Sequence, residues 1–178
     1  YGAGSFKLIA DFLTNKCSPS LMAMVGYTLH NTLSEYGTVN RGVCEVDNKN
    51  NLVEVIERTK IAEQNGAVNY NIGTEEALGT LDKNASVSMN YWGFHPSIFA
   101  EIEKGLHDFM MENPTNPTAE YYIPNIVTDM IVSGQMAVRV IPTDDNWFGV
   151  TYKEDKPLAA TAINKYIADG IYPNNLWS

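Results

Sequence analysis

Leu21-Met22-Ala23-Met24-Val25-Gly26-Tyr27 is an unbroken apolar run of strand length. A strand with one wet face alternates apolar and polar residues, so a run without a polar position suits the middle of a sheet covered on both faces. On its N-terminal side, Ser18-Pro19-Ser20 breaks the preceding element. That element spaces Phe6, Ile9, Phe12 and Leu13 on one helical face and ends near Asn15-Lys16. On its C-terminal side, polar Asn31 to Asn40 reads as a loop. Arg41 to Asp47 and Leu52 to Arg58 then flank Asn48-Lys49-Asn50-Asn51. Two strand-like runs around an Asn-rich tetrapeptide predict a hairpin.

Residues 62–84 read as a polar excursion with one short strand near Ala67-Val68. Ser86 to Phe94 has the strand period, and His95-Pro96-Ser97 opens a helix through about Met111. Asn113-Pro114-Thr115-Asn116-Pro117 is a rigid turn, followed by a helix from about Ile123 to Ser133 with Gly134 as its C-cap. Met136 to Ile141 is a strand, Trp147 to Thr151 a further short one, and Pro157 to Ala168 a last helix closed by Gly170. Helices and strands alternate without strict βα regularity, which predicts an α/β fold on a mixed sheet, with residues 1–178 as one domain.

Twelve Lys and Arg stand against 21 Asp and Glu, a net charge of -9. A phosphate backbone would be repelled over most approaches, so nucleic acid and anionic membrane surfaces are poor partners. No apolar run approaches the roughly 20 residues of a membrane span. Cys17 and Cys44 are too few for a disulfide framework, and a reduced, cytoplasmic setting with two buried thiols is expected. The chain opens at Tyr1-Gly2 directly beside a helix, which reads as a cut made inside a larger fold.

Phosphate-loop, dinucleotide, zinc-protease and serine-hydrolase signatures are missing from the sequence. His107 reads as solvent-facing and His95 as a helix-entry residue, while His30 at the edge of a polar loop fits either role. Asp144-Asp145 and Glu154-Asp155 offer the oxygen ligands that suit Mg²⁺, although acidic loops on acidic proteins are ordinarily just solvated. Glu57-Arg58 ends an apolar strand, where ligands collect in open α/β sheets. An adjacent acid and base there can hold sugar hydroxyls and a phosphate, or form a surface ion pair.

The run from Arg41 to Asp47, continued by Val55-Ile56-Glu57-Arg58-Thr59-Lys60, resembles the sugar-phosphate nucleotidyltransferases of the glucose-1-phosphate thymidylyl- and uridylyltransferase group. In that family a Y-G-V-x-x-x-D strand leads by a hairpin to an E-K-P element, and Arg41 stands at the Tyr position. Val87 to Phe94 resembles the family strand beside the sugar, Glu120 to Asn125 the start of the next helix, and Trp147-Phe148-Gly149-Val150-Thr151 the W-x-D-x-G-T block. The likeness runs over nearly the whole chain.

The resemblance implies a three-layer nucleotide-diphospho-sugar transferase-like fold, incomplete at its N-terminus. It implies a reaction that joins a sugar 1-phosphate to a nucleoside triphosphate, UTP or dTTP, with Mg²⁺ and release of pyrophosphate. By the same resemblance Glu57 binds sugar hydroxyls, Arg58 replaces the Lys facing the phosphate, Gly42 presents its backbone, Asn90 lines the pocket and Trp147 packs beside it. Gly149 stands where the second metal acid is expected, so Asp145 or Asp155 would substitute as ligand. The nucleotide-binding half and its catalytic residues precede Tyr1 in the family, which leaves no catalytic residue in this chain and makes it inactive alone. A non-catalytic sugar-phosphate-binding or regulatory module is the alternative, and an interaction domain without a small-molecule site the third reading. A sheet cut in this way is expected to expose the apolar faces of strands such as Leu21 to Tyr27 and to self-associate.

Overall fold

The computed structural model describes residues 1–150 and 152–175. Four helices, α1 (Ala3–Asn15), α2 (Ile98–Glu112), α3 (Ile123–Val132) and α4 (Asp155–Ala168), accompany seven strands. The strands are β1 (Leu21–Thr28), β2 (Val39–Val46), β3 (Leu52–Gln64), β4 (Ala67–Tyr70), β5 (Gly79–Leu81), β6 (Ser86–Gly93) and β7 (Ala137–Thr143). They form one mixed sheet in the order β5-β4-β3-β2-β6-β1-β7, in which β1 is antiparallel to β6 and parallel to β7.

The apolar run of β1 is covered on both sides, as its sequence predicts. Ala23, Val25 and Tyr27 point into a core shared with Ile9 and Phe12 of α1. Met22 and Met24 point into a second core with Ile98 of α2 and Ile126, Val127 and Met130 of α3. With Met22 to Val25 and Tyr27 at 0% exposure, the expected exposed face at Leu21 to Tyr27 is overturned. The reason is pairing: β6 and β7 occupy both edges of β1, and helices cover both faces.

The predicted hairpin is β2–β3, and its turn is built by Asp47. Asp47 Oδ1 accepts from the N–H groups of Lys49 and Asn51, both at 2.8 Å, while Asn50 takes a positive φ of 59°. The hairpin joins β6 only through Gly42↔Ser88 and Val43↔Val87. Beyond that point it arches over the α2–α3 side, where Cys44 and Leu52 enter the second core. Its tip reaches the outer edge of β7: the Val140 N–H donates to Asn50 O at 2.8 Å and Asn51 bridges Arg139. The tip thereby covers a strand edge that would otherwise be open to pairing.

Other sequence expectations are adjusted. The polar excursion holds the end of β3 and both β4 and β5, so it is a short meander rather than a loop with one strand. The loop at 31–40 is shortened by a 3-10 turn at Leu29–Thr32 and by β2 starting at Val39. The strand expected at Trp147 to Thr151 is not formed at 147–150, and Thr151 lies outside the described residues. There the chain folds onto itself, with the Trp147 ring filling the space that a side chain on Gly149 would need. Gly134 does close α3, at φ 71°, with its N–H bonded to Ile131 O at 3.0 Å.

Candidate functional site

The sheet divides the sequence-predicted site residues between its two sides. Gly42 lies directly opposite Glu57 on β3 and opposite Ser88 on β6, which places all three on the α2–α3 side with Cys44 and Val55. A Cβ on Gly42 would stand 2.6 Å from Val55 Cγ1 and 3.6 Å from Glu57 Oε2. Glycine is needed at this buried position because the Val55 side chain closes over it, with the Glu57 carboxylate at its rim. Glu57 is open to solvent, yet desolvation by its surroundings raises its carboxyl above the ordinary value, partly offset by the Arg41 charge. Asn90 joins this side through an irregularity in β6. Met24 pairs with Trp92 but Gly26 pairs with Ser88, so β6 carries extra residues at this point and Asn90 adopts a φ of 55°. Such bulges re-aim side chains beside functional sites. The Asn90 N–H donates to Ser88 Oγ at 3.2 Å, and its Oδ1 accepts from the Trp92 indole at 3.3 Å.

Arg58 and Trp147 sit on the opposite, α1 side. Arg58 is the cross-strand partner of Arg41, and each guanidinium lies over a different ring: Arg58 over Tyr70 at 4.6 Å and Arg41 over Trp147 at 5.1 Å. Arg41 is a functional candidate that no sequence motif marks except as a departure from a family pattern. Its signal was present, because Val39, Arg41 and Val43 share one side of β2 and an Arg at an inward strand position is costly unless it is used.

Neither acid proposed as a metal ligand stands free. Asp145 Oδ2 accepts from the Ser5 N–H at 2.6 Å and from Ser5 Oγ at 2.9 Å. Ser5 is the third residue of α1, whose N-cap, Gly2, has no side chain to offer. Asp145 thus takes the role of an N-cap acid from the far end of the chain. Gly2 and Gly4 permit it, since a Cβ on either would come within 2.4 and 2.9 Å of that carboxylate. Ser5 Oγ also accepts from the Tyr27 hydroxyl at 2.9 Å, within a buried polar network. Asp155 is buried at the start of α4, with Oδ1 accepting from Ser34 Oγ at 3.2 Å and Oδ2 from the Tyr152 N–H at 2.8 Å. Among the described residues no group of three or more His, Cys, Asp or Glu could share a metal ion. Asp145 offers one oxygen, Oδ1, that accepts no hydrogen bond among the described residues.

His95 is a helix-entry residue, its Nδ1 accepting the Ser97 N–H at 3.1 Å. His107 is exposed on α2 and His30 faces Glu63 at 3.5 Å. No helix among the described residues is long and apolar enough to cross a membrane. Comparison with known protein families and with characterised proteins finds no match to this chain.

Proposed function

We propose that this chain binds a sugar 1-phosphate and forms the sugar side of a nucleotidyltransferase. The observation that carries the reading is Glu57, an exposed carboxylate directly opposite Gly42 on the same side of the sheet as Asn90. A sugar reaching this side from solvent meets the exposed Glu57 carboxylate, which accepts from its hydroxyls, the kind of charge-assisted contact that fixes a polyol. Asn90 supplies both a donor and an acceptor beside it. The similarity to the thymidylyl- and uridylyltransferases named above supports the same assignment and suggests their three-layer transferase-like fold. In that reaction an oxygen of the sugar phosphate attacks the α-phosphorus of UTP or dTTP and pyrophosphate leaves. Mg²⁺ would supply charge neutralisation when bound, and Asp145, held at the start of α1, has one oxygen that accepts no hydrogen bond among the described residues. Arg58, stacked on Tyr70 on the opposite face of the sheet, has no part in holding a phosphate beside Glu57. A cytoplasmic setting, where nucleoside triphosphates are kept, accompanies this reading.

A second reading, a non-catalytic sugar-phosphate-binding module, is favoured by two observations: Gly149 in place of a metal acid, and Asp145 held by α1. Calorimetry of the chain with glucose 1-phosphate, with and without Mg²⁺, tests both. Binding is expected, and Glu57→Ala should weaken it about tenfold or more, since it removes a hydrogen-bonded charge. Mg²⁺-independent affinity selects the binding module. The absence of heat with any sugar 1-phosphate sinks both readings.

A further inference from the structure

On the α1 side of the sheet, away from Glu57, a cavity of about 500 Å³ opens between the Leu29–Thr32 turn, the start of β2, residues 146–149 and α4. That is the size of a small-molecule site. Its inner wall is Arg41, 9% exposed. A guanidinium carries five N–H donors. Three are used: Nε to Thr32 Oγ1 at 3.2 Å, Nη1 to Asn40 O at 2.7 Å, and Nη2 to Thr32 O. Two have no hydrogen-bond partner among the described residues. Ion-pair distances among those residues occur at His30–Glu63 and His107–Asp108, neither of which involves Arg41.

Burying a cation without a counter-charge is expensive, and desolvation lowers its pKa, with Glu57 giving partial relief through the sheet. The carbonyl contacts on its edge and the Trp147 ring over its face hold the fork in one orientation. A fixed fork is what planar recognition of an oxyanion requires. Asp155 also lines the cavity, but both its oxygens already accept hydrogen bonds. Lys165 and Glu35 complete a wall of balanced charge, which suits a ligand with an anion at one end rather than a polyanion.

We propose that this cavity binds a small organic ligand through one oxyanion group, phosphate or carboxylate, with Arg41 as its anchor and Trp147 as its apolar wall. The site is separate from the Gly42–Glu57 side and does not rest on the nucleotidyltransferase reading.

The test is an NMR titration of the ¹⁵N-labelled chain with inorganic phosphate and, separately, sodium acetate at constant ionic strength. The Arg41 Nε–H and Trp147 indole N–H signals are followed. Saturable movement is expected, weakened about tenfold or more by Arg41→Lys, which loses the fork. Ala162→Leu fills the cavity from α4 without touching the Arg41 hydrogen bonds, and should weaken it as well. If Arg41→Lys fails to fold, Ala162→Leu carries the test alone. Movement with phosphate alone assigns a phosphoryl ligand, and movement with acetate alone a carboxylate. Glu57→Gln removes a negative charge that Arg41 senses and should leave both titrations as strong or stronger, while weakening sugar-phosphate binding, which separates this site from the sugar-phosphate proposal. No saturable movement with either anion, or unchanged titrations in Ala162→Leu, overturns the inference.

Discussion

Asp145 shows how one residue can satisfy a sequence pattern and yet do other work. An acid in a loop after a strand fits a metal ligand, but its Oδ2 is shared by the Ser5 N–H and hydroxyl at the first turn of α1. A carboxylate in that position satisfies an orphan helix donor and faces the positive end of the helix dipole. The two nearby glycines matter only because they let it approach. Asp145→Ala should therefore cost about 1–2 kcal/mol of stability, the range of a lost N-cap, in urea denaturation. The loss should be the same with and without Mg²⁺. A stability change that appears only when Mg²⁺ is present would instead make Asp145 a metal ligand first and a cap second.

Among the elements, the β2–β3 hairpin joins the candidate site to the far sheet edge, since it carries Gly42 and Glu57 and its tip closes β7. Asp47 organises that tip, and its hydrogen bonds from Asn51 and Lys49 hold its carboxyl below the ordinary value of 3.8. Asp47→Ala should loosen the turn and speed hydrogen exchange at Val140, whose N–H bonds to Asn50 O, while the Met24 and Val25 amides stay protected. Equal protection of Val140 in both proteins would show that the tip is held by side-chain packing at Leu52 rather than by the turn. The hairpin was legible in the sequence because its apolar runs and Asn-rich turn are local signals. So was β1, since burial on both faces leaves no polar residue to alternate. The arch of the tip over the sheet was not legible, because one backbone bond from Val140 to Asn50 joins residues far apart in sequence. The division of Glu57 from Arg58 follows from the two-residue period of a strand, which places sequence neighbours on opposite faces. Reading those two as one acid–base unit missed that geometry. Arg41 was visible as a residue but not as a wall, since the cavity needs α4, whose helical pattern gives no hint of where it packs.

For the molecule as a whole, alkaline pH is the condition that tests both cores together. The Tyr27 hydroxyl, buried on the α1 side, is pushed up to about 12, chiefly by desolvation. The Cys44 thiol, buried on the α2–α3 side, is likewise pushed up by desolvation to about 12 from an ordinary 9.0. Each group keeps its proton in the fold after the unfolded chain has lost it. Above about pH 9 the unfolded state therefore binds fewer protons, and stability falls with rising pH. Below the unfolded pKa values the contribution is fully present, so neutral pH is unaffected. The net charge of -9 at pH 7 acts in the same direction, because each further lost proton adds to self-repulsion. Cys44→Ala should remove the early part of the decline and Tyr27→Phe the later part, beginning near pH 10, as measured by urea midpoints between about pH 8 and pH 11. Salt distinguishes the two causes. Screening weakens the surface repulsion but leaves buried protonation almost untouched, so a decline that survives at about 0.5 M salt belongs to Cys44 and Tyr27. A decline abolished by salt and unaltered in both variants would assign alkaline loss to net charge alone and leave the two buried groups without a part in it.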